Sequence, residues 1–291
     1  MLALLLAVPL AFTPLEDASA DAAAQTGPPR AVIAGDYEKK TLARIDADGE
    51  VVWSRPIRAI HDLQALPDGH TLYQTNFRNV IEANADGETV WRYDAPKGVE
   101  IHAFQRLPGG VTLIAESGTR RLLEVAKDGT IQVEVPLTVE NPDAHRDTRL
   151  VRKTSAGTYL VAHESDAAVR EYQADGTVTW EYDVGSKVYG VERLANGNTL
   201  IGTGDGHRVI EVNPAGETVW ELTSDDLPNV DLVWVTMATR KPNGNTVVVN
   251  CHAGPANPQI LEVTPDKQIV WSFKDFDRFG NALPVAVLPG E

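Results

Sequence analysis

Two short signatures alternate along this chain, and the way they begin and end constrains the fold more than any other feature. The first is a turn with a tryptophan four residues beyond its glycine position: "DADGEVVW" ends at Trp53, "NADGETVW" at Trp91, "QADGTVTW" at Trp180 and "NPAGETVW" at Trp220. "TPDKQIVW" ends at Trp271 with Lys267 in the glycine place, and "AKDGTIQV" carries Val133 in place of the tryptophan, which makes six copies. The second signature joins two alternating apolar runs: "LPDGHTLYQ", "LPGGVTLIA", "TSAGTYLVA", "LANGNTLIG" and "KPNGNTVVV". Its glycines, Gly69, Gly110, Gly157, Gly197 and Gly244, are spaced 41, 47, 40 and 47 residues apart.

Asp-Gly and Asn-Gly pairs between alternating runs predict hairpins, because the turn residues tolerate positive φ. Each repeat therefore reads as four antiparallel strands, A to D, in about 42 residues. The chain enters with strands B, C and D ("AVIAGDY", "KTLARID", "EVVWSRP") and leaves with a lone strand A in "VAVLPGE". The last strand, Leu283 to Leu288, is thus expected beside Ala31 to Asp36, closing a ring. An all-β, six-bladed β-propeller over residues 31–291 follows, since a closed ring of four-stranded sheets leaves few open edges. The strand D tryptophans are expected between blades. The same register aligns Glu82, Glu124, Glu171, Glu211 and Glu262, one on each of five blades, where they are expected to pair locally or face water.

Charge and cysteine content narrow the partners. A net charge of -15 argues against nucleic acid, whose phosphates need clustered Lys and Arg. The single cysteine, Cys251, excludes an intrachain disulfide and any multi-cysteine zinc or haem motif. The apolar run Leu2 to Phe12 is too short to span a bilayer, and Ala18-Ser19-Ala20 suits signal peptidase. The expectation is a signal peptide over residues 1–20, a disordered linker over 21–30, and a periplasmic or secreted monomer without a transmembrane domain.

In a propeller the A–B and C–D turns share one face, and the D–A and B–C connections share the other. Here the first set is short and uniform, whereas segments such as "LTVENPDAHRDTR" and "NCHAGPANPQ" vary in length and chemistry. Function concentrates on loops held by a rigid frame, so the irregular face is the candidate. His61, His102, His145, His163, His207 and His252 map to it, and His70 alone maps to the turn face. Eight residues before each A–B glycine, at the channel mouth, stand His61, His102, Arg149, Tyr189 and Thr236. "HRDTR" and "AHE" are expected to bring His145, Arg149, His163 and Glu164 together, imidazole beside carboxylate being how a base is oriented or a metal ligand held. His61, His102, His145, Arg149 and His163 are the candidate catalytic residues. Tyr189, Trp234, Thr236, Asn250, Cys251 and His252 are candidate ligand contacts, with Cys251 and His252 diverging because they are adjacent. The ligand class is a small or extended molecule, anionic or hydroxyl-rich and carbohydrate-like, and a divalent metal is compatible with the histidines.

"LIGTGDGHRVIEVNPAGETVWEL" and "VIEANADGETVWRY" resemble the repeats of the pyrroloquinoline quinone (PQQ)-like propeller superfamily over nearly all of residues 30–290. Quinone-dependent dehydrogenases with this repeat have eight blades, a vicinal cysteine pair and a calcium site, so with six blades and one cysteine no quinone is expected. "IHDLQALPDGHTL" is similar to bacterial arylsulfotransferases. That resemblance implies a histidine nucleophile with His and Arg side chains around the sulfuryl oxygens, roles open to His61, His102 and Arg149. A binding module without the quinone is the leading expectation, and a transferase or lyase-type enzyme the alternative.

Overall fold

The turn glycines adopt the left-handed backbone their position requires: φ is 82° at Gly69 and 88° at Gly197. In the computed structural model, which describes residues 24–288, six sheets result. The signal peptide and its cleavage point lie outside the described residues.

Blade one is built from Val285–Val287, Val32–Asp36, Thr41–Ile45 and Val51–Pro56 in that order across the sheet. Its seam is the pairing of Ile33 with Val287, Ala34 with Ala286 and Gly35 with Val285, so the last strand completes the first blade. Blades two to five are consecutive four-stranded meanders. Their inner strands are Gln64–Ala65, Glu100–Arg106, Val151–Lys153 and Gly190–Arg193. Blade six begins with Trp234–Arg240 and carries a fifth strand, Ala24–Thr26, antiparallel to Ile269–Lys274. The segment expected as a disordered linker is therefore partly strand, because the outer edge of blade six offers unpaired backbone groups that an adjoining arm satisfies.

The glutamate row has a structural explanation. In each C–D pair the register shifts by one residue beside the position opposite the tryptophan: Glu82 faces Trp91, Glu171 faces Trp180, Glu211 faces Trp220 and Glu262 faces Trp271. A bulge re-aims the side chains beside it. Here it sets a carboxylate next to an indole, and a cation from the following blade enters between them. Arg106 pairs with Glu82 and lies 5.0 Å from the Trp91 ring centre, and Arg240 does the same for Glu211 and Trp220 at 5.0 Å. Arg193 serves Glu171 and Trp180. Between blades six and one the cation is Arg30, which comes from the N-terminal arm and pairs with Glu262 over Trp271. In blade one Arg44 replaces the glutamate, and Ala65 stands in the cation position of blade two. Cation–π contact and ion pairing each contribute on the order of 1 kcal/mol per seam. The tryptophans do sit between blades: the indole N–H of Trp91 donates to the Lys127 carbonyl and that of Trp220 to the Pro265 carbonyl, both on the next blade.

Candidate functional site

The channel mouth on the irregular face gathers side chains from the connections before blades two, four and five and from the inner strand of blade three. Within Glu100–Arg106 the register shifts at His102, which falls unpaired between Ile101 opposite Glu116 and Ala103 opposite Ala115; such a bulge re-aims the side chain, and His102 Nε2 meets the Glu100 carboxylate. His61 enters from the connection before blade two, its N–H donating to Gln74 Oε1 at 2.8 Å. His145 is carried by a turn in which Asp143 accepts the His145 N–H at 3.0 Å and Asp147 accepts the Asp143 N–H at 2.6 Å. Short aspartates that bond local backbone N–H groups hold such turns rigid.

The rings meet closely. His61 and His102 lie 4.4 Å apart between centres, His102 and His145 4.9 Å, and His61 and Phe77 4.4 Å. Glu100 Oε2 is 2.8 Å from His145 Nδ1 and 3.0 Å from His102 Nε2. These contacts, that with His102 first, hold the Glu100 carboxyl down to about 2. Arg149 forms an ion pair with Glu164, donates to the His145 carbonyl at 2.6 Å, and rests 5.8 Å from the Tyr189 ring centre. Tyr189 donates to the His61 carbonyl at 3.0 Å. Burial lowers the affinity of His61 for a proton well below the ordinary histidine range and brings His102 to about 4, so both imidazoles are neutral at pH 7.

His61, His102, His145, Arg149 and Tyr189 are thus brought together, as the spacing predicts. His163 is not among them. It is fully buried in blade four, where Nδ1 meets the Asp147 carbonyl at 2.7 Å and Nε2 meets the Tyr172 hydroxyl at 2.9 Å, because its strand turns it away from Glu164. Burial also brings its pKa to about 4. The other expected ligand contacts lie on blade six. Asn250 accepts from the Val233 N–H and donates to the Asp231 carbonyl, Thr236 is buried, and Cys251 is buried with its thiol pushed up to about 12. Trp234 and His252 pack edge to face at 6.4 Å, with Lys187 5.1 Å from the Trp234 ring centre. His61 and His102 are closed off from solvent, so neither is placed to receive a sulfuryl group. His145, with 45 % of its side chain exposed, is the accessible imidazole.

Sequence reasoning missed Glu100, Tyr37 and Phe77. Glu100 meets His102 at a bulge that the repeat does not signal, and Tyr37 and Phe77 come from B–C loops that carry no repeat signal. Beside His145, a cleft of about 890 Å³ is lined by Glu140, Asp143, Arg146, Glu164, Lys187 and Asp205 among others. A second cavity of about 980 Å³ opens on the turn face, over Leu63, Leu150 and Met237. Its Arg152, Lys153, Arg193 and Lys241 are each paired with a carboxylate.

A family model described as outer membrane protein assembly factor BamB matches residues 38–166 and 145–257. No curated protein matches the chain. Among solved structures, a protein of unknown function from Bacteroides caccae is 24 % identical with a TM-score of 0.81, the match covering 90 % of this chain and 100 % of that one. A streptogramin B lyase is 13 % identical with a TM-score of 0.62, covering 86 % of this chain and 87 % of its own. Virginiamycin B lyase from Staphylococcus aureus is 14 % identical with a TM-score of 0.60, over the same shares of 86 % and 87 %. At these identities the solved structures share the fold.

Proposed function

The chain belongs to the PQQ-like repeat family described as outer membrane protein assembly factor BamB, and from that premise we propose an exported binding propeller whose irregular face takes a hydroxyl-rich, carbohydrate-like small molecule. The observation that carries this reading is the pairing state of the cleft beside His145. Arg146 is engaged by Asp143 and Glu164, Arg149 by Glu164, and Lys187 lies 3.7 Å from Asp205. Cations already neutralised in this way offer an anion little, whereas carboxylates, amides and Ser186 offer hydroxyl groups many acceptors and donors.

A second reading, lyase-type proton abstraction, rests on His145 alone. Its exposed ring is held through Nδ1 by Glu100, the arrangement that orients a general base. Isothermal titration of the mature protein with a panel of mono- and disaccharides, polyols and aryl sulfates tests the binding reading. A saccharide or polyol should bind, and Lys187→Ala and Asp205→Asn should weaken it. Binding of aryl sulfates alone, or saccharide binding indifferent to both substitutions, refutes the assignment.

A further inference from the structure

We propose that Glu100, His102 and His145 form a site for one divalent transition-metal ion at the channel mouth. The ligating atoms of the three side chains all lie within 4.8 Å of one another, and the carboxylate oxygen is 2.8 Å and 3.0 Å from the two ring nitrogens. Two donors bound at right angles, each about 2.1 Å from a metal, are themselves about 3 Å apart. The observed spacing is that of neighbouring corners of one coordination sphere.

The ring of His102 is held in place from its other side: Nδ1 lies 3.0 Å from the Thr148 carbonyl and 3.2 Å from Arg149 Nη1, which leaves Nε2 as the nitrogen that meets Glu100 Oε2. A backbone carbonyl on the distal ring N–H is the usual outer-shell device for orienting a ligating imidazole. An independent observation lies beside it: His61 Nδ1 is buried without a hydrogen-bond partner, in a ring 4.4 Å from His102 and 5.4 Å from His145. A second cluster among the described residues, Asp68, His70 and Glu82 on the turn face, has a single imidazole, and Arg106 already neutralises its Glu82.

Two imidazoles and one carboxylate suit zinc or another first-row divalent ion and leave positions for water or a ligand oxygen. Asp143 and Arg146, on either side of His145 in sequence, line the cleft, and a ligand hydroxyl reaching across from it would complete the sphere. That last step alone rests on the function proposed above.

The test is isothermal titration of Zn²⁺ and Co²⁺ into chelator-stripped mature protein, with the visible absorbance of bound Co²⁺ as a second readout. One equivalent should bind, and His145→Gln and Glu100→Gln should each weaken it at least about tenfold. His207→Gln, on an exposed loop away from the cluster, should match the parent. His145 is half-exposed, so its variant should melt as the parent does, separating loss of binding from loss of fold. No saturable binding, or equal affinity in the parent and both site variants, overturns the proposal. Saccharide binding that persists in chelator while zinc fails to bind sinks the metal site and leaves the ligand assignment standing. Zinc binding with no saccharide binding does the reverse.

Discussion

Asp62 and Arg152, 90 residues apart and on blades two and four, are joined by two hydrogen bonds of 2.8 Å. The same carboxylate accepts the Phe104 N–H at 2.9 Å from the intervening blade, so one buried side chain ties three blades together. It is also the residue after His61, and its position sets where that imidazole enters the cluster. Asp62→Asn keeps an acceptor for Phe104 but leaves the guanidinium without its counter-charge. The loss should be about 3 kcal/mol, read by urea denaturation. Pairing Arg152→Met with Asp62→Leu should recover much of it, and a double substitution as damaging as the sum of the singles would refute the coupling.

Ring closure should be felt at both termini. Removing residues 282–291 takes away the strand that pairs with Val32–Asp36 and exposes the inner edge of that strand, so the whole ring should melt in one transition well below the parent. Arg30→Ala should act more mildly, by about 1 kcal/mol, through its contacts with Glu262 and Trp271. A truncated chain that melts like the parent would contradict the seam.

The tryptophans should not respond alike to Trp→Phe. Trp91 donates to the Lys127 carbonyl at 3.0 Å, whereas the indole N–H of Trp53 is buried without a partner. Trp91→Phe should cost about 1 kcal/mol more than Trp53→Phe, because only the first strands an acceptor. Thermal unfolding of the two variants decides it, and the reverse order would count against the assigned bonds.

Stability should fall on acidification below the ordinary histidine range. His163 is buried and its folded pKa, about 4, is depressed below the unfolded value. The folded state thus binds fewer protons than the unfolded one, and stability is full above the unfolded pKa and declines as pH falls towards 4. The shift corresponds to about 3 kcal/mol for this residue. His163→Gln should flatten the dependence of melting temperature on pH between neutrality and that value, and an unchanged slope would remove His163 from the account.

The blade count, the seam and the placement of the tryptophans are legible in the residues alone. They rest on local rules, positive φ at Gly69 or Gly197 and alternation along each strand, that recur in every blade and reinforce one another. The glutamate row was visible too, but its partners were not. Arg106, Arg193 and Arg240 stand two strands onward, on the inner strand of the next blade, and Arg30 takes the same role from outside the repeat. The channel mouth lies further still from local rules. That His61, His102, Arg149 and Tyr189 face one axis follows from their register, but His145 and its meeting with Glu100 depend on how the 137–150 connection turns, and His163 points away because of its place at the end of a strand. Strand pairing is decided by neighbours in sequence, while convergence at the axis is decided by the rotation between blades and the aspartate-held loop, which only tertiary packing sets.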